Sequence, residues 1–128
     1  MSKATIRYTA AALSIGRALF GAAMIAVPTR VGEAWIGEPG RYERVSVLTR
    51  SMGARDIGLG AGAAVALFDE NDDAAVLLLA GQALADVVDF AGTLAVRDRI
   101  PPSGLKITLG LAGLSGLAAG AAAAALRS

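Results

Sequence analysis

The sequence predicts an all-α protein, a bundle of four transmembrane helices with a short interfacial segment in the first loop. Three observations lead to this fold class. Hydrophobic residues make up 55% of the 128 residues and charged residues only 18%, which gives a mean hydropathy of +0.56. Four long apolar stretches divide the chain, and each matches the about 20 residues that a helix needs to cross a bilayer. Breaks of proline, acidic residues or arginine separate the stretches.

Each predicted span ends where the sequence turns polar or introduces a proline. The first stops at Pro28, the second at the acidic run 69–73, and the third at a turn that contains Pro101 and Pro102. A chain of this length forms one domain, so residues 1–128 are predicted to be a single integral membrane domain. The predicted spans cover about residues 9–27, 45–68, 74–96 and 105–126.

The first loop is predicted to contain a short helix over Thr29–Ile36 that ends at Gly37. Trp35, Ile36 and Tyr42 are side chains of the kind that anchor a segment at the membrane–water interface. We therefore expect this helix to lie on the membrane surface. The alternative is that it forms a lid over the charged residues inside the bundle.

A soluble, alanine-rich four-helix bundle is the alternative fold. A soluble helix of this length needs a polar face. Between Ile107 and Leu126 the only polar side chains are those of Thr108 and Ser115, and none is charged. The missing polar face, together with the number and length of the spans, favours a membrane protein.

Four spans place both termini on the same side of the membrane. The loops 28–44 and 97–104 carry five arginines, the loop 69–73 carries no basic residue, and the two tails carry three basic residues. By the positive-inside rule the first and third loops are cytoplasmic and the termini extracytoplasmic. The composition is poor in lysine and rich in arginine, alanine and glycine, which is typical of GC-rich bacteria and indicates the bacterial inner membrane.

The composition also excludes several kinds of chemistry. The chain has no cysteine and no histidine, so it lacks thiolate nucleophiles, disulfides and the commonest metal and haem ligands. A net charge of +1 lacks the basic footprint of a nucleic-acid-binding protein. We therefore expect no metal, no cofactor and no nucleic acid. The expected partners are membrane lipid, a second copy of the chain or a larger membrane complex.

Ionisable residues inside the predicted spans are the most informative feature of the sequence. Each costs about 2.5–3.5 kcal/mol at the centre of a membrane helix, so the bundle must bury them against partners. In the third span Gln82, Asp86 and Asp89 are spaced i, i+4 and i+7, and the face that they share is predicted to point into the bundle. The candidate cluster consists of Arg17, Arg50, Arg55, Asp56, Gln82, Asp86 and Asp89.

The depth of these charges in the membrane indicates which of them meet. Arg50 and Asp89 form a shallow layer, and the predicted pairs are Arg50 with Asp89, and Asp86 with either Arg55 or Arg17. Three arginines would then balance three aspartates without net charge. Counted from the first-loop face, four residues lie about 15 Å deep, near the midplane: Arg17, Arg55, Asp56 and Asp86.

Two interpretations of the cluster stay open. In the first, the cluster is a structural clamp that fixes the register of the helices. In the second, it lines a polar cavity that binds a headgroup or another anion, carries protons, or performs acid–base chemistry. As an enzyme on a membrane-dissolved substrate, the chain would use Asp86, Asp89 or Asp56 as the catalytic acid or base. Arg55 and Arg17 would then stabilise developing negative charge.

Small residues recur at every fourth position on two spans, and such stripes let membrane helices approach closely. We expect one stripe to pack inside the monomer and the other against a second copy, without assigning which. The stripes are Ala54, Gly58, Gly62 and Ala66 in the second span, and Ala112, Gly116, Gly120 and Ala124 in the fourth.

A recognisable run, Arg-Ser-Met-Gly-Ala-Arg-Asp, occupies residues 50–56 and is followed by Gly58 and Gly60. With Asp86 and Asp89 in the third span, and Arg17 in the first, the chain resembles small four-helix bacterial membrane proteins of unknown function that are related to the DoxX-like group. The resemblance implies a four-helix integral membrane fold and no particular reaction. The DoxX name suggests association with respiratory or thiol-oxidising assemblies, but thiol chemistry requires the cysteine that this chain lacks.

The sequence thus predicts a small polytopic inner-membrane protein with a buried Arg/Asp cluster, either an accessory protein or one that binds a lipid-like or anionic ligand. Two alternatives belong to other functional classes. One is a membrane-embedded acid–base enzyme (isomerase, cyclase or epoxide-opening), and the other is a proton-coupled transporter in which Asp86 titrates.

Overall fold

The computed structural model describes residues 1–128, and its elements are all helical, which confirms the predicted all-α class. Two short 3-10 turns, Glu38–Arg41 and Arg97–Arg99, lie between the longer elements. The five α-helices are α1 (Lys3–Ala26), α2 (Pro28–Ile36), α3 (Glu43–Phe68), α4 (Asp72–Ala95) and α5 (Pro102–Arg127).

Local capping explains where these helices begin and end. The side chains of Ser2 and Asn71 accept hydrogen bonds from backbone amides in the first turns of α1 and α4. Pro28 and Pro102 stand in the first turns of α2 and α5, where proline lacks only an amide that would have no partner. Gly37 follows α2 with a φ of +83°, a backbone conformation that favours glycine.

Three of the four predicted spans meet the length and hydropathy of a membrane-crossing helix. These are α1, α4 and α5. The remaining one, the second predicted span, is α3. It is equally long at 26 residues, but it carries Arg50, Arg55 and Asp56 among alanines and glycines. These charges lower its hydropathy, so α3 is not one of the helices that qualify by composition.

The long helices pack in chain order, α1 against α3, α3 against α4, and α4 against α5. α1 and α5 are in much looser contact. The hydrophobic core is built mainly of alanine, and large apolar side chains face outward. For example, Leu77, Leu114 and Leu117 are each more than 70% exposed. This inside-out distribution is expected of helices whose outer surface meets lipid.

Glycines bring α1 and α3 into close contact, although not the glycines of the predicted stripe. A Cβ on Gly53 would lie 2.5 Å from the carbonyl oxygen of Gly21, and one on Gly60 would lie 2.4 Å from that of Ser14. Gly58, which belongs to the predicted α3 stripe, has no such neighbour within 4 Å. The face of α3 that contacts α1 is therefore rotated away from that stripe, because α1 packs against the face that holds Gly53 and Gly60.

The first half of the predicted stripe on α5 packs inside the molecule, whereas Ala124 at its end is exposed. Ala112 is buried, and a Cβ on Gly116 would lie 3.0 Å from the Cβ of Asp86 on α4. This contact lets α5 lie directly over the charged face of α4.

The short helix predicted in the first loop is present as α2, and it closes one end of the bundle. Trp35 donates its indole N–H to the hydroxyl of Thr93 on α4 at 3.1 Å. A Cβ on Gly104 would lie 2.1 Å from the Trp35 carbonyl oxygen, so glycine is required where α5 passes α2.

Nearby, outside the long helices, a hydrogen bond from Tyr42 to Glu38 raises the pKa of the Tyr42 phenol, which keeps it protonated.

Ion pairs tie together the opposite end of the bundle. Asp72, at the start of α4, accepts from Lys3 and Arg7 of α1, each at 3.0 Å. The start of α1 therefore lies beside the α3–α4 turn.

Candidate functional site

A continuous network of charged side chains crosses the middle of the bundle. Its charged members come from α1, α3 and α4, and a hydrogen bond from α5 connects the remaining long helix to it. We call this network the Arg/Asp cluster, and its members are Arg17 of α1, Arg55 and Asp56 of α3, and Asp86 and Asp89 of α4, with Ser115 of α5 hydrogen-bonded to it.

Arg17 bridges two carboxylates. Its Nη1 donates to Oδ1 of Asp56 at 3.2 Å, and its Nη2 donates to Oδ2 of Asp86. The three side chains are only 9%, 7% and 6% exposed, respectively. Ion pairs shielded from water to this extent are energetically coupled, because loss of one partner leaves a buried charge uncompensated.

Arg55 connects the deep part of the cluster to its periphery. Its Nε donates to the same Oδ1 of Asp56 at 3.1 Å, and its Nη2 donates to Oδ2 of Asp89 at 2.9 Å. Asp56 is thus shared by two guanidinium groups. The Arg55 side chain is 31% exposed, so this pair lies nearer the surface than the Arg17 pairs.

Asp86 also receives a hydrogen bond from the fourth long helix. The hydroxyl of Ser115 lies 2.6 Å from its Oδ2, which therefore accepts from both Ser115 and Arg17. Its other oxygen, Oδ1, accepts no hydrogen bond from the protein. Because no fully buried side-chain oxygen or nitrogen lacks a partner, this Oδ1 is not completely enclosed by the protein.

Gln82 lies one turn before Asp86 on the same face of α4. Its amide donates to the Ser14 hydroxyl at 3.1 Å and to the Leu59 carbonyl at 3.2 Å. Gln82 and Asp86 are both buried and Asp89 is half-buried, which confirms that this face of α4 points inward.

The predicted pairing is confirmed at one point and wrong at another. Arg17 pairs with Asp86, one of the two expected alternatives, but Asp89 pairs with Arg55 rather than Arg50. Arg50 is exposed, and its Nε donates instead to the carbonyl of Ile25 at 3.3 Å, near the carboxyl end of α1. The carbonyl groups at a helix end attract a cation, and Arg50 lies on a different face of α3 from Arg55, the arginine that reaches Asp89 on α4.

The prediction that the cluster carries no net charge is also wrong. Without Arg50, two arginines face three aspartates, so the formal charge is +2 − 3 = −1. One carboxylate is therefore in excess at the centre of the bundle.

A cavity of about 510 Å³ lies between α1 and α5, which are in loose contact, and the Arg/Asp cluster forms part of its wall. Arg17, Asp56, Asp86 and Asp89 all line it. The remaining wall is largely apolar, with side chains such as Leu13, Phe20, Ile107 and Leu111.

Helix α2 borders the same cavity with Arg30, Val31 and Trp35. This position agrees with the lid interpretation of the first loop. Beyond Trp35 lies a smaller cavity of about 220 Å³, and Trp35 and Asp89 line both cavities. Trp35, held by Thr93, therefore stands between the two cavities.

Two polar contacts of the site were not assigned from the sequence. Ser115 is one of only two polar side chains in the apolar part of α5, which is the signal that it has a partner inside the bundle. Ser14 precedes Arg17 by one helical turn and so shares its face.

No group of three or more acidic side chains is arranged to hold a metal ion.

Comparison with known proteins adds no relative. No family model matches the chain, and no curated protein or solved structure is significantly similar to it. The resemblance to the DoxX-like group stays a prediction from the residues at 50–60, Asp86, Asp89 and Arg17.

Proposed function

We propose that the chain is a membrane-embedded binding protein that takes up a lipid-like ligand between α1 and α5. The observation that carries the proposal is the 510 Å³ cavity, which is apolar over most of its wall and ends on a buried charged cluster. Binding sites for small amphiphilic molecules combine a largely apolar wall with a few convergent polar groups. The loose contact between α1 and α5 provides an entrance from the lipid side.

The proposal includes α3 as a fourth span, although its composition is less apolar. Two of its charged side chains, Arg55 and Asp56, are paired inside the bundle with α1 and α4, so they need not face lipid. We place the bundle in the bacterial inner membrane, with the first loop cytoplasmic and both termini outside, in line with the arginine-rich first and third loops.

Among the ligands expected from the sequence, the geometry favours a lipid-like molecule over an inorganic or small organic anion. Arg17 and Arg55 are each already bound to two carboxylates. An added anion would have to displace one of these carboxylates, and it would increase the negative charge of the site.

The cavity is tested with a tryptophan that fills it. Ala118 lines the cavity, whereas the adjacent Leu117 is 75% exposed on the outer face of the same helix. We expect Ala118→Trp to weaken binding of a fluorescent dodecyl alcohol in lipid nanodiscs at least about tenfold, which corresponds to about 1.4 kcal/mol. Leu117→Trp, the matched control, should leave the affinity within about twofold. Equal binding by both variants would contradict the proposal.

Acid–base catalysis on a membrane-dissolved substrate is the second candidate. The observation that favours it is that Asp86 and Asp56 both line the cavity and each keep one oxygen without a hydrogen bond from the protein. An isomerisation needs one group to donate a proton and another to accept one, and two such carboxyl groups would supply both. Chemical conversion of the bound ligand, followed by mass spectrometry, would identify an enzyme.

A further inference from the structure

We infer that the polar end of the ligand is a protonated amine, and that Oδ1 of Asp86 is its binding partner. The inference rests on the proposed lipid-like ligand and adds its chemical class. It follows from the charge of the cluster, the free oxygen of Asp86 and the apolar wall of the cavity.

The charge of the cluster favours a cation. Arg17, Asp56 and Asp86 are the most buried members, and together they carry −1, while Arg55 and Asp89 cancel. An uncompensated carboxylate away from water is costly. An ammonium group would bring the cluster to neutrality, a neutral hydroxyl would leave it at −1, and a fatty acid would raise it to −2.

Asp56 and Asp86 each keep one oxygen without a donor from the protein, but their charges are compensated differently. Asp56 is shared by two guanidinium groups and Asp86 meets only that of Arg17, so Asp86 is where the cation binds. Oδ2 is occupied by Arg17 and Ser115, but Oδ1 has no partner in the protein. The residue as a whole is only 4% exposed, and it lines the cavity. A carboxylate oxygen accepts more than one hydrogen bond, and an ammonium group offers three donors without any acceptor.

No uncommitted cation lies beside this oxygen. Arg17 is held by two carboxylates, and Ser115 is neutral. The remaining positive charge on the cavity wall is Arg30, which is exposed on α2 at the end of the bundle. Asp86 lies nine residues before the end of α4, about 14 Å along the helix from that end. Arg30 forms no ion pair with the cluster, and an exposed charge at the end of the bundle is a weaker partner for Asp86 than a cation inside the cavity.

The remaining cavity wall determines the rest of the ligand. Side chains of α1 and α5, including Leu13, Phe20, Ile107 and Leu111, offer apolar surface on either side of Asp86. A single aliphatic chain attached to the amine fits this surface. The ligand class is therefore a long-chain lipophilic amine.

Three competitors of equal chain length test the inference: dodecylamine, dodecanol and dodecanoic acid. Each is titrated against the fluorescent dodecyl alcohol in nanodiscs of neutral lipid at pH 7, with protein-free nanodiscs of the same lipid as the blank for partitioning into the bilayer. For the wild-type protein we expect the amine to bind at least about tenfold more tightly than the alcohol, and the acid to bind most weakly.

Asp86→Asn should reduce the preference for the amine over the alcohol to about twofold or less. Asp73→Asn removes the same charge from an exposed position in the first turn of α4, and it should keep the tenfold preference. Equal affinity for amine and alcohol in the wild-type protein would overturn the inference and leave the proposed function standing. If none of the three competes, both fail. If the acid binds most tightly, an anionic ligand replaces the amine.

Discussion

Arg17 is the residue on which the charge balance of the bundle depends. It is the one cation that contacts both Asp56 and Asp86, the two most buried carboxylates. Replacing it with a neutral residue changes the formal charge of the cluster from −1 to −2. Replacing Asp86 with asparagine changes the charge from −1 to 0 and keeps an amide oxygen that accepts from Arg17 and Ser115.

These two substitutions are therefore expected to differ in stability. Arg17→Gln should lower the free energy of unfolding by about 3–5 kcal/mol, the usual cost of leaving a buried charge unpaired. Asp86→Asn should lower it by less than about 1 kcal/mol, because two arginines then face two aspartates. Unfolding in mixed detergent micelles measures both.

The double variant Arg17→Gln/Asp86→Asn returns the cluster to −1 and should recover part of the loss. A loss for Asp86→Asn as large as that for Arg17→Gln would contradict the charge count. It would show instead that the cluster acts as a clamp in which every ion pair counts equally.

Among the long helices, α1 and α3 make the most extensive contact, and glycine makes it possible. Gly53 and Gly60 lie seven residues apart on α3, so they share one face that meets α1. The packing brings Arg17 of α1 beside Asp56 of α3. The charged cluster therefore depends on backbone contact between these two helices.

Alanine substitutions on α3 separate helix propensity from packing. Gly53→Ala places a Cβ 2.5 Å from the Gly21 carbonyl oxygen, and we expect it to destabilise the fold by about 1–3 kcal/mol through overpacking. Gly58→Ala meets no atom within 4 Å and should be neutral or stabilising by up to about 1 kcal/mol, since alanine is the better helix former. Similar effects of both substitutions on unfolding in detergent would show that α1 does not approach Gly53 so closely.

For the whole molecule, the arrangement in the membrane is the property that can be tested most directly. The natural chain has no cysteine, so single cysteines report accessibility without background. Arg41, Asp69 and Ser128 are exposed and lie before α3, after α3 and after α5. We expect a membrane-impermeant maleimide to label Asp69→Cys and Ser128→Cys in spheroplasts, and Arg41→Cys only after permeabilisation. Labelling of Arg41→Cys and Asp69→Cys from the same side would mean that α3 does not cross the membrane.

Local sequence signals were sufficient to locate the helices. Proline, glycine and acidic runs mark chain breaks wherever they occur, and the observed elements agree with the expected spans within a few residues, apart from an earlier start of α1 at Lys3. The inward face of α4 was equally predictable, because Gln82, Asp86 and Asp89 follow the helical repeat. Depth along a helix follows from a constant rise per residue, which is why residues from three helices were expected at one level.

The partners of each charge depended on the packing of the whole bundle. Depth in the membrane does not specify the rotation of a helix about its axis, so a prediction from depth alone paired Arg50 with Asp89. In the structure, α1 and α3 pack so that Arg50 donates to the carbonyl of Ile25 and Arg55 pairs with Asp89. This rotation also determines the excess carboxylate and the cavity between α1 and α5. Helix positions follow from neighbouring residues in the chain, but ion pairs and cavities arise from contacts between residues that are far apart in it.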